Sequence, residues 1–347
     1  MAGRHSRSIE KLRALREKEI DPAVLAEEII RGNVNALSKA ITLIESHHPG
    51  DRKKAADLLD LLLPKTGNSI RIAVSGVPGS GKSSFIESFG NLLTSLGKKV
   101  AVLAIDPSSE SSKGSILGDK TRMTSLASNP HAFVRPSPSS GTLGGVAEKT
   151  RETIFLCEAA GYEIVLIETV GVGQSEIEAH SMVDFFILIL LTGAGDELQG
   201  IKRGIMEMAD LVLVNKADGA NLEKAKIACQ EISRALHLLP GHSSGWEPLA
   251  MTCSAYENKG ISEAWDQVIK YISLVKSNGH FDINRKEQSG KWLHESIRQQ
   301  IINRFYENPQ IKEQLALMEE KVKNNKISLR KALSELLEVY FGKGFNN

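Results

Sequence analysis

The chain has 347 residues, of which 41% are hydrophobic and 24% charged. That composition builds a globular core and excludes a wholly disordered chain. Lys and Arg number 43 against 42 Asp and Glu, a net charge of +1, so net charge lends no support to nucleic acid or an anionic membrane as a bulk electrostatic partner. The three cysteines, Cys157, Cys229 and Cys253, are too scattered for a disulfide framework or a paired metal site and read as reduced structural thiols. The longest apolar run, 183–191, is interrupted by Asp184 and falls short of the roughly 20 residues of a membrane helix. The opening is basic, but Glu10, Glu17, Glu19 and Asp21 follow, where a transit peptide is acid-poor. The expectation is a soluble cytoplasmic protein, with an organelle matrix as the lesser option.

Residues 1–66 read as helices. Ala23, Leu25, Ile29 and Ile30 recur at helical spacing behind Asp21 and Pro22, a cap and first-turn pair. Ala36, Leu37, Ala40, Ile41 and Ile44 form a second stripe. Ala55, Leu58 and Leu59 with 61–63 form a third, punctuated by Pro64 and Gly67. With no chemistry-bearing motif, the segment reads as a packing platform.

From Ile70 the pattern changes to short β-rich runs separated by longer helical stretches. The runs are 71–75, 100–105, 164–167, 185–191, 211–214 and 249–252. They are continuously apolar, as suits strands covered on both faces. The fold class is therefore α/β, a mostly parallel sheet flanked by helices. Such sheets bind ligands beyond the carboxyl ends of their strands, and every polar motif below follows one of these runs. After Gly279 the strands stop. Trp292, Leu293, Ile297, Ile301 and Phe305 share one helical face, and Asn308 and Pro309 look like a cap and first-turn proline. Leu315, Met318 and Val322 continue on a second helix. Leu329, Ala332, Leu333, Leu336, Leu337 and Tyr340 mark a third, stopped by Gly342. These faces either cover the core or meet a second subunit. The expected organisation is a helical segment over 1–66, the α/β domain over 67–279 and a helical segment over 280–347.

Gly76, Val77, Pro78, Gly79, Ser80, Gly81, Lys82 and Ser83 fit the phosphate-binding pattern G-x-x-x-x-G-K-S/T in full, and Ser84 opens the helix that follows. The glycines let the backbone fold so that its N–H groups converge on phosphate oxygens, with a helix N-terminus behind them. Lys82 is expected to reach the β- and γ-phosphates, and Ser83 to place its hydroxyl on Mg²⁺. This is a P-loop NTPase arrangement.

Asn215, Lys216, Ala217 and Asp218 follow the run 211–214 and spell N-K-x-D. Guanine presents adjacent N1–H and N2–H donors, which one carboxylate at Asp218 can accept together; adenine offers no such pair. Asn215 can tie loops together and touch the acceptor edge of the base, and the stem of Lys216 can lie over its ring. Ser254 and Ala255 follow the next run, where a backbone N–H is expected to approach the base carbonyl. GTP and GDP are therefore the expected nucleotides.

Asp106 and Glu168 end the runs 100–105 and 164–167, where carboxylates beside phosphates require Mg²⁺ to remove the repulsion. Asp119 lies just past a Ser/Gly-rich stretch suited to ordering around Mg²⁺ and γ-phosphate. Gly171 can offer its N–H to the γ-phosphate. In Ras-like sites a Gln directly after that glycine orients the attacking water. Val172 holds that place here and Gln174 stands two further on. Intrinsic hydrolysis is then either slow or served by another group, Gln174 among them. The expected catalytic set is Lys82, Asp106, Asp119, Glu168 and Gln174, and the metal set Ser83, Asp106, Asp119 and Glu168.

The P-loop, the stretches 104–109 and 114–123, the block 168–176 and the stretch 193–202 together resemble the MeaB/MMAA family, SIMIBI-class GTPases also described as ArgK or LAO/AO transport system kinase. The flanking helices match in length and position. The resemblance implies a homodimer held by a C-terminal helical arm. It also implies a GTP-driven chaperone that gates adenosylcobalamin loading and protects methylmalonyl-CoA mutase or a related acyl-CoA mutase. It places Asp106 and Asp119 in a first switch, Glu168 in a second, and 191–202, with Asp196, Glu197 and Lys202, in a partner-sensing third. A metallochaperone GTPase is the rival, but its Cys-x-Cys-Cys run or histidine-rich tail is missing; His47 and His48 are the only adjacent pair. A kinase is a second rival, for which neither acceptor pocket nor base can be named.

Overall fold

Among the described residues, three α-helices precede the first strand: α1 (Pro22–Ile30), α2 (Val34–Glu45) and α3 (Pro49–Leu62). The computed structural model describes residues 20–46, 48–105, 123–135, 143–169, 174–192 and 203–342. The expected cap on α1 is present, with Asp21 Oδ1 accepting from Ala23 N at 2.8 Å and Pro22 in the first turn. Asn33 caps α2 through Asn35 N and Ala36 N. The next elements are β1 (Ile70–Gly76), α4 (Lys82–Ser95), β2 (Val100–Ile105), α5 (Thr124–Ala127), β3 (Ala132–Arg135), α6 (Leu143–Ala159), β4 (Ile164–Thr169), α7 (Gln174–His180) and β5 (Phe185–Leu190). They are followed by α8 (Arg203–Glu207), β6 (Leu211–Val214), α9 (Leu222–Leu236), β7 (Leu249–Thr252), α10 (Ile261–Ser277), α11 (His280–Glu307), α12 (Pro309–Lys323) and α13 (Leu329–Phe341).

The strands form one seven-stranded sheet in the order β3-β2-β4-β1-β5-β6-β7. Every neighbouring pair is parallel. The α/β class and the parallel sheet flanked by helices are as the apolar runs indicate. The strand β3 was not expected: at the sheet edge and mostly half-buried, its apolar run of three residues is too short to stand out. β1 lies at the centre, between β4 and β5. The chain leaves it toward β2 on one side and later passes it to reach β5 on the other, which puts the ligand-binding crevice beyond its carboxyl end.

One face of the sheet is covered by α4 and α10. Phe85, Ile86, Phe89 and Leu93 of α4 meet Val268, Tyr271, Ile272 and Val275 of α10 in a single apolar cluster with Ile72, Val74 and Leu166 of the strands. Phe85 stacks on Phe89 at 5.2 Å, and Phe89 takes Trp265 edge-on at 6.0 Å. On the other face α6 packs on β2 and β4, and α1, α2 and α3 pack on α6. The N-terminal helices thus share a compact unit with the sheet, and this unit runs to Lys286, inside α11. Residues Glu287–Asn347 form a second unit, with Ile311, Met318, Ala332 and Leu336 as its core and Asn308 capping α12.

At the amino ends of β1 and β5 lies a buried ion cluster. Arg71 makes a forked contact with Glu158, Nε to Oε1 at 2.8 Å and Nη2 to Oε2 at 3.0 Å. Arg285 makes a second fork with Asp184 and reaches Glu158 Oε1 at 3.5 Å. Ser69 Oγ and Gly67 N complete the Glu158 carboxylate. Burial opposes its ionisation, but the Arg71 charge and the donors around it prevail and hold Glu158 below the usual carboxylate range.

Candidate functional site

The loop from β1 to α4 stands at the crevice. Gly76 ends β1 at φ +151°, and a Cβ there would run into the carbonyl of Ile189 on β5 and the Ser80 hydroxyl. Only glycine lets the loop pass this close to the neighbouring strand. Lys82 is buried and bends back over the loop, its Nζ donating to the carbonyls of Gly76 at 2.8 Å and Val77 at 3.3 Å. Pro78 and Gly79 are exposed at the tip, as is Ser84 on the first turn of α4. Ser80 is fully buried, and its hydroxyl has no hydrogen-bond partner among the described residues. An orphaned hydroxyl buried inside this loop suits a ligand rich in oxygen acceptors.

Ser83 Oγ donates to Glu168 Oε1 at 2.8 Å. The hydroxyl on the first turn of α4 and the carboxylate at the end of β4 are thus side by side, and both are hard oxygen ligands of the kind Mg²⁺ takes. Asp106, Asp119, Gly171, the side chain of Gln174 and the stretch 193–202 lie outside the described residues.

The N-K-x-D turn is bonded to this loop. Asn215 Nδ2 donates to Ser80 O at 2.8 Å. Its Oδ1 accepts from Ala255 N at 3.2 Å and faces the Cys253 thiol at 3.5 Å. Burial pushes that thiol up to about 12, so it stays protonated and serves as a donor. Gly81 has φ +88°, and a Cβ on it would meet Asn215 Nδ2 at 2.5 Å. Lys216 is exposed and sits at φ +58°. Asp218 is half-buried and makes no helix-capping bond; instead Oδ2 accepts from Ser254 Oγ at 2.6 Å. Ser88 of α4 donates to Ala255 O at 2.9 Å. Among the described residues, then, the structure brings together the loop, Ser83, Glu168, Asn215, Asp218, Ser254 and Ala255.

A buried polar network beneath the loop escaped sequence reasoning. Thr169 Oγ1 donates to Ser75 Oγ at 2.9 Å, Ser75 contacts Glu176 Oε1 at 3.5 Å, and Ser175 donates to Glu176 Oε2 at 3.2 Å. The available signal was Ser75, a polar residue directly after the apolar run Ile72, Ala73 and Val74. Among the described residues no group of three or more His, Cys, Asp or Glu could hold a metal ion.

A lysine folded over a glycine loop, on the central strand of a parallel sheet and bonded to an N-K-x-D turn, places the chain among the P-loop GTPases. The comparisons narrow this to a family. The family model described as Methylmalonyl Co-A mutase-associated GTPase MeaB matches residues 37–310, and the chain belongs to that family. It is 46% identical to a probable GTPase of Mycobacterium tuberculosis, over 91% of this chain and 94% of that one. It is 46% identical to the GTPase ArgK of Escherichia coli, over 92% and 97%. A solved structure described as LAO/AO transport system kinase superimposes with a TM-score of 0.73 at 38% identity, covering 93% of this chain and 98% of that one. The protein is a GTPase of guanine-nucleotide-binding and Mg²⁺-binding kind. No helix among the described residues is long and apolar enough to cross a membrane.

Proposed function

We propose that this GTPase is a chaperone of an adenosylcobalamin-dependent mutase, methylmalonyl-CoA mutase or a related acyl-CoA mutase. In this reading it couples GTP hydrolysis to cofactor loading and protects the mutase from inactivation. The observation that carries the nucleotide half is the bond from Asn215 to Ser80, which makes base recognition and phosphate binding parts of one unit. The family description supports the mutase half.

In this reading the 76–84 loop wraps the phosphates with its N–H groups. Lys82 leaves the carbonyls of Gly76 and Val77 for the β- and γ-phosphate oxygens, which replaces two neutral acceptors by charged ones. Asp218 accepts the N1–H and N2–H of guanine, and Ser254 holds its carboxylate in place. Ser83 and Glu168, with Asp106 and Asp119, would hold Mg²⁺, directly or through water. When bound, Mg²⁺ supplies neutralisation of the charge on the β- and γ-phosphate oxygens. Gly171 donates to the γ-phosphate, and Gln174 is the candidate to orient the water.

The same reading assigns the protein to the cytoplasm as a homodimer, and the stretch 191–202 to partner sensing. Support for the dimer comes from α11, where Leu293, Ile297 and Ile301 recur at intervals of four and are each about half exposed. The experiment is GTP turnover by the protein alone and with one equivalent of methylmalonyl-CoA mutase, with ATP as control. A slow basal rate raised by the mutase is expected, with no ATP turnover. GTP cleavage indifferent to the mutase would remove the partner and keep the GTPase.

A further inference from the structure

Asn221 is half-buried, lies outside the N-K-x-D motif and makes two short side-chain hydrogen bonds in opposite directions. Its Nδ2 donates to Lys216 O at 2.7 Å, and its Oδ1 accepts from Thr192 Oγ1 at 2.8 Å. Thr192 lies just past β5, the strand beside β1 and β6. Asn221 therefore clasps the base turn to the end of a central strand.

The turn needs a clasp. Lys216 has φ +58°, a left-handed conformation that costs a residue with a Cβ about 1–2 kcal/mol. The conformation sets the course of the next residues. Ala217 N donates to Cys253 O at 3.0 Å, and Asp218 returns in extended conformation at φ −133°, with its carboxylate on Ser254. If Lys216 relaxed to negative φ, the Asp218 carboxylate would swing away from Ser254. Holding Lys216 O in place opposes that relaxation.

We infer that Asn221 is a positioning residue for guanine recognition, acting through the Lys216 turn on Asp218, with Thr192 as its footing. This rests on the reading of Asp218 as the base-binding carboxylate. The consequence is selective. Asp218 meets both N1–H and the exocyclic N2 amine of guanine, whereas hypoxanthine lacks that amine. A displaced Asp218 therefore costs GDP more than IDP.

The test is the affinity of full-length protein for GDP and IDP by titration calorimetry, with Tm recorded for each variant. Asn221→Asp keeps an acceptor for Thr192 and turns an oxygen toward Lys216 O. Thr192→Val removes only the footing. Asn221→Asp is expected to weaken GDP binding about two- to tenfold, the range of one hydrogen bond, and to weaken IDP less. Thr192→Val is expected to give a smaller effect in the same direction, absent when Asn221 is already replaced. Equal losses for GDP and IDP, or none, would overturn the clasp. If Asn221→Asp does not fold, Thr192→Val decides by the same comparison. Asp218→Asn, assayed with XDP against GDP, tests the underlying reading separately. A shift toward XDP together with unaltered Asn221 and Thr192 variants defeats the clasp alone, and no shift toward XDP defeats the base assignment.

Discussion

The amide of Asn215 and the carbonyl of Ser80 are 2.8 Å apart although 135 residues separate them in sequence. The residue that opens the base loop thereby closes the phosphate loop. Asn215 is buried, so its Nδ2 and Oδ1 have no water to turn to if a partner is lost. Asn215→Ala strips Ser80 O and Ala255 N of buried partners together, at about 1–3 kcal/mol each. The expected result is GDP affinity weakened at least tenfold and a lowered Tm. Unchanged affinity in a calorimetric titration would show the two loops to be independent.

Lys82→Ala removes the one side-chain cation of the 76–84 loop. GTP hydrolysis should fall below detection in a phosphate-release assay, while the Asn215 and Asp218 contacts leave residual GDP binding. Retained turnover would discredit the phosphate assignment.

The Arg71–Glu158 pair is almost fully buried, with side chains 3% and 1% exposed. Removing Arg71 leaves Glu158 with Arg285 at 3.5 Å and the donors Ser69 and Gly67. The cost of Arg71→Met should therefore fall short of the about 3–5 kcal/mol of a wholly stranded charge, and Arg71→Met combined with Arg285→Met should approach it, which denaturant unfolding can compare. The folded pKa of Glu158 is depressed, so its contribution is present above the unfolded value near 4.5 and is lost as pH falls through the lower folded value.

Asp210 has the opposite sign. It is buried, accepts from Phe186 N at 2.8 Å, and burial raises its carboxyl to about 8, with Asp184 adding to the rise. His242 stands 3.6 Å away and is itself pushed down, by burial and by His280. Between about pH 4 and 8 the folded state keeps a proton that the unfolded state releases, so this group lowers stability as pH rises and levels off above 8. Asp210→Asn keeps an acceptor for Phe186 and has no such dependence. Its Tm advantage over the parent should be smallest below about pH 4 and grow toward pH 8, at about 2–4 °C per kcal/mol. A constant difference across that range would contradict the buried-proton account.

What could be read from the chain alone was local. The P-loop and N-K-x-D motifs are contiguous, and their chemistry follows from residue types at short spacing. Runs such as 185–190 and 211–214 declared themselves as parallel strands because burial on both faces demands unbroken apolar sequence. The strand 132–135 did not, its apolar run being only the three residues Ala132, Phe133 and Val134. The cap at Asn308 was legible for the same local reason, being a residue bonded two and three positions on. Tertiary structure alone decided which distant polar residues meet: Asn215 with Ser80, Ser83 with Glu168, Arg71 with Glu158, and Asn221 with Thr192. Each of these contacts depends on strand order and on which helix covers which face. A carboxylate or amide in sequence gives no sign of a partner that only the sheet's crossovers bring within 3 Å.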